Sequence, residues 1–295
     1  ALLTAAGVPR VRAANVVPRI GVLQPEPARA AIRAMFLSHV IGGKGLSRRS
    51  NFTAMVRGAT PDVVLTAVEL LAGLAGDVAV VDIGGATTDV HSVVAPDPED
   101  RVLAREVVAP TALGRTVEGD LGVRWSAVST VEAAEDAGLV TGQEHGELLA
   151  GASRRQGDPA YLPDSDAEDQ LEARLATLAG EVALRRHAGR QLVTFGPDGR
   201  LVERTGKDLR EIGLLVGSGG VLRHHPPKFA TSVLRAWCGH IPGGWLLPRK
   251  PALVVDRDYV LAAAGLLAAD HPEAASALVQ DLACGGGRPT DGAGV

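Results

Sequence analysis

The octapeptide Asp82-Ile83-Gly84-Gly85-Ala86-Thr87-Thr88-Asp89 constrains this chain more than any other stretch. An apolar run, 78–81, leads into it, and a second run, 90–94, leads out. That pattern predicts a β-hairpin with a turn of glycines and threonines framed by two aspartates. Glycine lets backbone N–H groups crowd an oxyanion, because no Cβ blocks the approach. Thr87 and Thr88 add hydroxyls. Asp82, at the strand end, is placed to hold Mg²⁺ through water, since Mg²⁺ sheds its hydration shell reluctantly. An ordinary tight hairpin is the plainer alternative, but Asn-Gly or Asp-Gly suffices for one. Two glycines, two threonines and two aspartates exceed that need.

A second loop gives this one a context. Residues 212–216 are apolar apart from Gly213 and run into Gly217-Ser218-Gly219-Gly220-Val221. Glycine at a strand end, just before a predicted helix, lets a flat base and ribose lie on the backbone. Alone this is a common pattern. About one domain's length separates it from the first loop, and the pair is specific.

The two loops together resemble those of the actin, heat-shock chaperone and sugar kinase superfamily of ATP-binding proteins. There a D-I/L-G-G-x-T/S-x-D loop holds the β- and γ-phosphates and a later G-x-G-G loop holds the adenosine. The match falls on Asp82, Gly84, Gly85, Thr87 and Asp89, and on Gly217, Gly219 and Gly220. The resemblance implies an α/β fold: an actin-like, ribonuclease H-like lobe with a mixed β-sheet flanked by helices. It implies ATP or ADP with Mg²⁺ as cofactors. Gly84, Gly85, Ala86, Thr87, Thr88, Gly217, Ser218, Gly219 and Gly220 become nucleotide-binding, Asp82 catalytic, and Asp82 with Asp89 the metal anchors. Residues 61–74 and 258–269 fall where the two connecting helices of that superfamily belong.

A narrower resemblance is collinear over most of residues 15–270. Segments 15–23, 82–93, 114–122, 186–190, 206–209 and 256–259 are similar to the accessory protein encoded beside glutamate mutase, called MutL or GlmL. This implies an ATPase-like, chaperone-like factor that reactivates or assembles an adenosylcobalamin-dependent mutase. The mutase subunits are then its expected partners. One element departs. The superfamily begins with another phosphate loop, D-x-G-S/T, and no such string occurs here; Asp120-Leu121-Gly122-Val123 lacks the hydroxyl and lies too late. The chain opens on Ala1 and reads as the later part of a longer protein whose first lobe is largely missing. The expected organisation is a first-lobe remainder with a connecting helix over 1–75, a second nucleotide-binding lobe over 76–255, a second connecting helix over 256–284 and a disordered tail over 285–295.

Composition excludes several classes. Thirty basic and 34 acidic side chains give a net charge of −4 over 295 residues, with no extended basic run. Nucleic acid and anionic membranes are therefore not the expected partners. Cys238 and Cys284 offer neither metal-ligand spacing nor a disulfide framework, so a reducing cytoplasm is the expected compartment. No run of ~18 apolar residues predicts a membrane span. Homo-oligomerisation is left open.

The remaining elements follow from periodicity. Helices are expected over 25–40, 126–150, 167–187 and 226–237. Leu171, Leu175, Leu178 and Val182 mark an amphipathic stripe on the third, which ends at Gly189 as a C′ glycine. A basic loop is expected over 42–50, a polar turn over 95–100, a third strand over 102–109 and a loop over 151–165. A hairpin is expected from 191–195 and 201–204. Other chemistry has plainer readings. His91 shares a strand face with Asp89 but reads as structural. Arg185, Arg186, His187 and Arg190 either complement a helix dipole or lie against adenine. Glu118 and Asp120 either form a surface turn or serve metal or water activation. His224, His225 and His240 lack carboxylate partners at zinc spacing.

Three functions compete. The first is the nucleotide-gated mutase factor, an ATPase as a whole protein and weak or inactive as this chain. The second is an ATP-dependent hydantoinase-type enzyme subunit, whose loop is similar. The third is a non-catalytic actin-like interaction module.

Overall fold

The structure is a computed structural model, described here for residues 6–20, 22–43, 60–95, 111–196 and 199–285. The chain divides into two compact units, one of Ala1–Val63 with Arg105–Pro110 and one of Val64–Ala104 with Thr111–Val295. The first unit carries helix α1 (Glu26–Gly43) and a short bridge between Arg19 and Val22. Arg33 Nε donates to Asp62 at 3.1 Å. Ile32 and Phe36 of α1 are exposed.

The second unit holds both glycine loops. Helix α2 (Thr60–Ala75) runs into it and leads to β1 (Val78–Ile83), β2 (Thr88–Val93) and β3 (Leu113–Glu118). Then come α3 (Ala127–Asp136), α4 (Gln143–Gly157) and α5 (Asp166–His187). A separate hairpin, β4 (Arg190–Gly196) with β5 (Gly199–Thr205), follows. The chain continues through β6 (Leu214–Ser218), α6 (Gly220–His224), α7 (Pro227–Ala236), β7 (Ala252–Val255), α8 (Val260–Leu267) and α9 (Pro272–Ala283).

Five strands form one mixed sheet in the order β3-β2-β1-β6-β7. The first three make an antiparallel meander; β6 lies parallel to β1, and β7 parallel to β6. The central strands are apolar on both faces because helices cover both. Ala79, Val81, Ile83 and Val90 join a core with residues of α3, α4, α5 and α7. Val78, Val80, Leu214, Val216 and Val254 join a second core with residues of α2, α8 and α9. A fully buried leucine such as Leu215 or Leu222 contributes about 1.5–3 kcal/mol. Among the described residues no helix is long and apolar enough to cross a membrane.

Several expectations are corrected. The described third strand is Leu113–Glu118, later in the chain than the strand expected over 102–109. The strand expected over 102–109, most of the turn over 95–100, most of the basic loop over 42–50 and the tail beyond residue 285 lie outside the described residues. Gly42 and Gly43 belong to α1, and residues 151–157 belong to α4, not to a loop. The second connecting helix is two helices, because Pro272 starts a new one at its first turn. Helix α5 is buried on most sides of its second half, beyond the expected stripe. Ser165 caps its start by accepting from Glu168 N, and Ala188 leaves it in an extended conformation, so Gly189 is not a left-handed cap.

Candidate functional site

The hairpin β1–β2 pairs Asp82 with Asp89 and Ile83 with Thr88, leaving residues 84–87 as the turn. Gly84 N donates to Thr87 O at 2.8 Å and closes it. Behind the turn lies the segment 119–126, which follows β3. Its donors take the turn's carbonyls one after another. Gly84 O accepts from Val123 N at 3.1 Å, Gly85 O from Arg124 N at 2.8 Å, and Ala86 O from Ser126 Oγ at 2.6 Å. A trans peptide sets each C=O antiparallel to the next residue's N–H. The amides of Gly85, Ala86 and Thr87 therefore all point away from that segment. Among the described residues these three amides have no acceptor. Three successive N–H groups aimed one way form a concavity suited to an oxyanion. Gly122 permits the clamp: a Cβ there would stand 2.6 Å from Gly85 O.

The threonines divide. Thr87 Oγ1 donates to Asp89 Oδ2 at 3.3 Å, at the turn. Thr88 is fully buried, and its hydroxyl donates to Leu121 O at 3.0 Å on the opposite sheet face. Its side chain is thus structural, unlike the sequence expectation.

Acidic groups gather at the ends of the parallel strands. Asp82 lies beside Ser218 in the β1–β6 register, and Asp256 follows β7. Burial pushes the Asp82 carboxyl up to about 6, Asp89 and Asp256 add repulsion, and a Ser218 hydrogen bond opposes them. Burial also raises Asp89 and Asp256. Asp89 Oδ1 is buried with no hydrogen-bond partner among the described residues. Asp256 accepts from Val260 N at 2.9 Å and Leu261 N at 3.1 Å, capping α8. No group of three or more His, Cys, Asp and Glu side chains among the described residues is arranged to hold a metal by itself. Mg²⁺ does not require one, because it keeps several waters and takes one or two carboxylates plus phosphate oxygens. Asp256 was not singled out in the sequence. Its signal was the one that marked Asp82, an apolar strand ending on an aspartate.

The second loop is shaped mostly by the protein. A Cβ on Gly217 would stand 2.7 Å from side chains of Leu222 and Leu234. Gly219 has φ +102°, and a Cβ there would stand 2.1 Å from Ile83 O, the end of the phosphate strand. The close Ile83 carbonyl and the positive φ by themselves require glycine at 219. Only Gly220 opens outward, with Tyr259 Oη 3.9 Å from a Cβ built there. Tyr259 holds a left-handed φ of 54°, and the Arg223 guanidinium lies over its ring at 4.3 Å. A bulky residue in that region is strained by about 1–3 kcal/mol, and such strain concentrates at functional sites.

Two substitutions separate these roles. Gly219→Val is expected to destabilise the fold by at least about 1–3 kcal/mol, from strain alone. Gly220→Ala is expected to melt like the parent, since its Cβ would make only ordinary van der Waals contacts with Tyr259 and His224. Thermal unfolding of the two variants checks the contrast.

The other charged candidates are engaged elsewhere. Arg186 holds Asp120 at 2.8 and 2.9 Å and Glu118 at 2.7 Å, so these acids brace α5 and are not placed to activate water. Arg185 pairs with Glu181, and Arg190 Nε donates to Gly243 O. His187 is buried between Ser92 Oγ at 2.8 Å and Thr116 Oγ1 at 3.1 Å, and burial lowers it to about 3. His91 is buried, with burial and Arg115 lowering it to about 4, so it is neutral and structural.

The sequence matches the family described as "MutL protein" over residues 1–282. It is 36% identical over 272 residues to "Protein MutL" of Clostridium tetanomorphum, covering 88% of this chain and 58% of that protein. The chain thus spans somewhat over half the length of that curated relative. The family match spans both glycine loops and the strands that carry them, and the chain belongs to the MutL protein family.

Proposed function

We propose that this chain carries the nucleotide-binding lobe of an actin-like ATPase that serves an adenosylcobalamin-dependent mutase, of the glutamate mutase kind, as a reactivating or assembly factor. The observation that carries the reading is the row of three outward amides, Gly85, Ala86 and Thr87, at a strand end flanked by Asp82 and Asp89. A terminal phosphate of ATP seats on those amides. Asp82, with Asp89 beside it, holds Mg²⁺ through water, and the cation offsets the crowding of carboxylates there. The base and ribose lie along Gly220, near the Tyr259 ring and Arg223. The sheet supports the same reading: an antiparallel meander with two further strands parallel to its first is how a ribonuclease H-like lobe is built.

A nucleotide works such a factor by population shift. ATP and ADP differ by one phosphoryl group at the amide row. A lobe arrangement that satisfies it is favoured by ATP over ADP. The mutase would sense that difference through lobe position.

Calorimetric titration tests the site. The chain is expected to bind MgADP and Mg²⁺-tripolyphosphate. Gly122→Ala, which drives a methyl group into the Gly85 carbonyl, is expected to lose both while keeping its helical circular dichroism. Parental affinity in that variant, or no binding by the parent, sinks the phosphate-loop assignment.

A further inference from the structure

Beneath the phosphate loop lies a buried ionic cluster whose presence stability does not explain. Glu172 on α5 is 1% exposed and Arg155 on α4 is fully buried. Arg155 Nε donates to Glu172 Oε2 at 2.7 Å. Arg155 Nη1 reaches Gly151 O at 3.2 Å, and its Nη2 lies 3.0 Å from Glu168 Oε2. The other Glu172 oxygen, Oε1, lies 2.7 Å from Nη2 of Arg124. Arg124 is the residue whose backbone N–H holds Gly85 O, and its Nη1 donates to its neighbour's carbonyl, Val123 O, at 2.8 Å. One carboxylate therefore bridges α4 to the strip that orients the loop's peptide planes. Apolar residues of similar volume in place of such a cluster are often neutral or stabilising, because desolvating the charges offsets their attraction.

The geometry points to Glu172 as a positioning residue for phosphate binding: through Arg124 it fixes the planes of the 84–87 turn, so that the three amides converge before a phosphate arrives. This rests on the phosphate-loop reading above. Glu172 touches no phosphate itself. Its side chain is too deeply buried to do so, and its two oxygens are occupied by Arg155 and Arg124. Its charge holds Arg155 by a hydrogen bond and Arg124 by a close ion pair, neither of which a packed leucine in its place would make.

The test sets stability against affinity. In the first variant Glu172→Leu is combined with Arg155→Met, removing the buried pair at similar volume. In the second, Arg124→Lys keeps the cation and the Glu172–Arg155 pair but loses the planar fork. Both are compared with the parent by thermal unfolding and by titration with Mg²⁺-tripolyphosphate. The double variant leaves Arg124 without its carboxylate and is expected to melt below the parent, so affinities are compared at a temperature where both are folded. Both variants are expected to bind tripolyphosphate about tenfold more weakly, as the turn loses the ion pair that steadies Arg124. That loss is expected to persist at about 0.5 M salt, where a long-range effect of charge is screened. Parental affinity in a folded variant, or a deficit that disappears with salt, overturns the proposal. If the double variant does not fold, Arg124→Lys decides alone, since it leaves Glu172 paired. A parent that binds no tripolyphosphate overturns the phosphate-loop reading itself. That result is distinct from a parent that binds and variants that bind equally well.

Discussion

Asp82→Asn is expected to make the ligand-free protein more stable at pH 7.5 while removing Mg²⁺-dependent nucleotide binding. Burial, with Asp89 and Asp256 nearby, holds Asp82 up at about 6 against an ordinary 3.8. The sign is fixed by linkage. The folded chain binds a proton at Asp82 that the unfolded chain has released, over the window from about pH 4 to pH 6. Stability contributed there is present below the unfolded value and lost as pH rises through the folded one. At pH 7.5 the ionised carboxylate costs about 2–3 kcal/mol relative to its protonated form. Asparagine keeps a polar group against Ser218 and carries no charge. The variant's gain in unfolding temperature is expected to be full at pH 7.5 and to vanish near pH 4. Mg²⁺ with ADP is expected to stabilise the parent and leave the variant unmoved. Thermal unfolding across pH, with and without MgADP, measures both halves. A variant less stable than its parent at pH 7.5 would show that Asp82 is a structural anchor.

That trade explains what the sequence disclosed. The sequence marked Asp82 as an apolar run ending on a charge, and the structure shows that carboxyl buried beside Asp89 and Asp256. The β1–β2 hairpin was legible from the apolar runs on either side of its glycine turn, and α2 from the superfamily resemblance. β3 was not: Leu113-Gly114-Arg115-Thr116-Val117-Glu118 carries glycine and charge because its residues face mixed surroundings, with Val117 exposed and Gly114 close under the Lys207 stem. The helix expected to show one stripe, α5, is buried nearly all round in its second half, where alanines and Gly180 let neighbours approach. Such small residues give weak periodic signals.

The second loop's glycines have causes within the fold that the sequence reading did not name. Glycine in Gly217 and Gly219 answers to Leu222, Leu234 and the Ile83 carbonyl, which a sequence cannot place next to them. The buried Arg155–Glu172 pair escaped notice for a related reason. Charges four or more positions apart on helices read as solvated faces, and only tertiary packing turns them inward.

This chain is expected to bind nucleotide and to release phosphate from it negligibly. Phosphoryl transfer depends on donors already fixed around the transferring group in a closed site. Here the donors of Gly85, Ala86 and Thr87 approach from one side, and the 295 residues contain no D-x-G-S/T string to supply the facing set. Removing one preorganised donor costs about 2.7–4 kcal/mol, roughly a hundred- to thousandfold in rate. Lacking a whole loop should cost at least as much. Steady-state phosphate release at saturating MgATP makes the comparison, between this chain and a version joined to a lobe that carries D-x-G-S/T. The joined protein is expected to turn over slowly, and Asp82→Asn within it to suppress that turnover. Asp82 matters there because the cation it holds must meet the phosphate as charge shifts onto the leaving oxygen. Equal, Asp82-dependent turnover by the short chain would mean that a second set of phosphate donors already exists within it. A joined protein that binds tightly but never turns over would instead favour the non-catalytic interaction module, a nucleotide-held scaffold rather than a nucleotide-driven one.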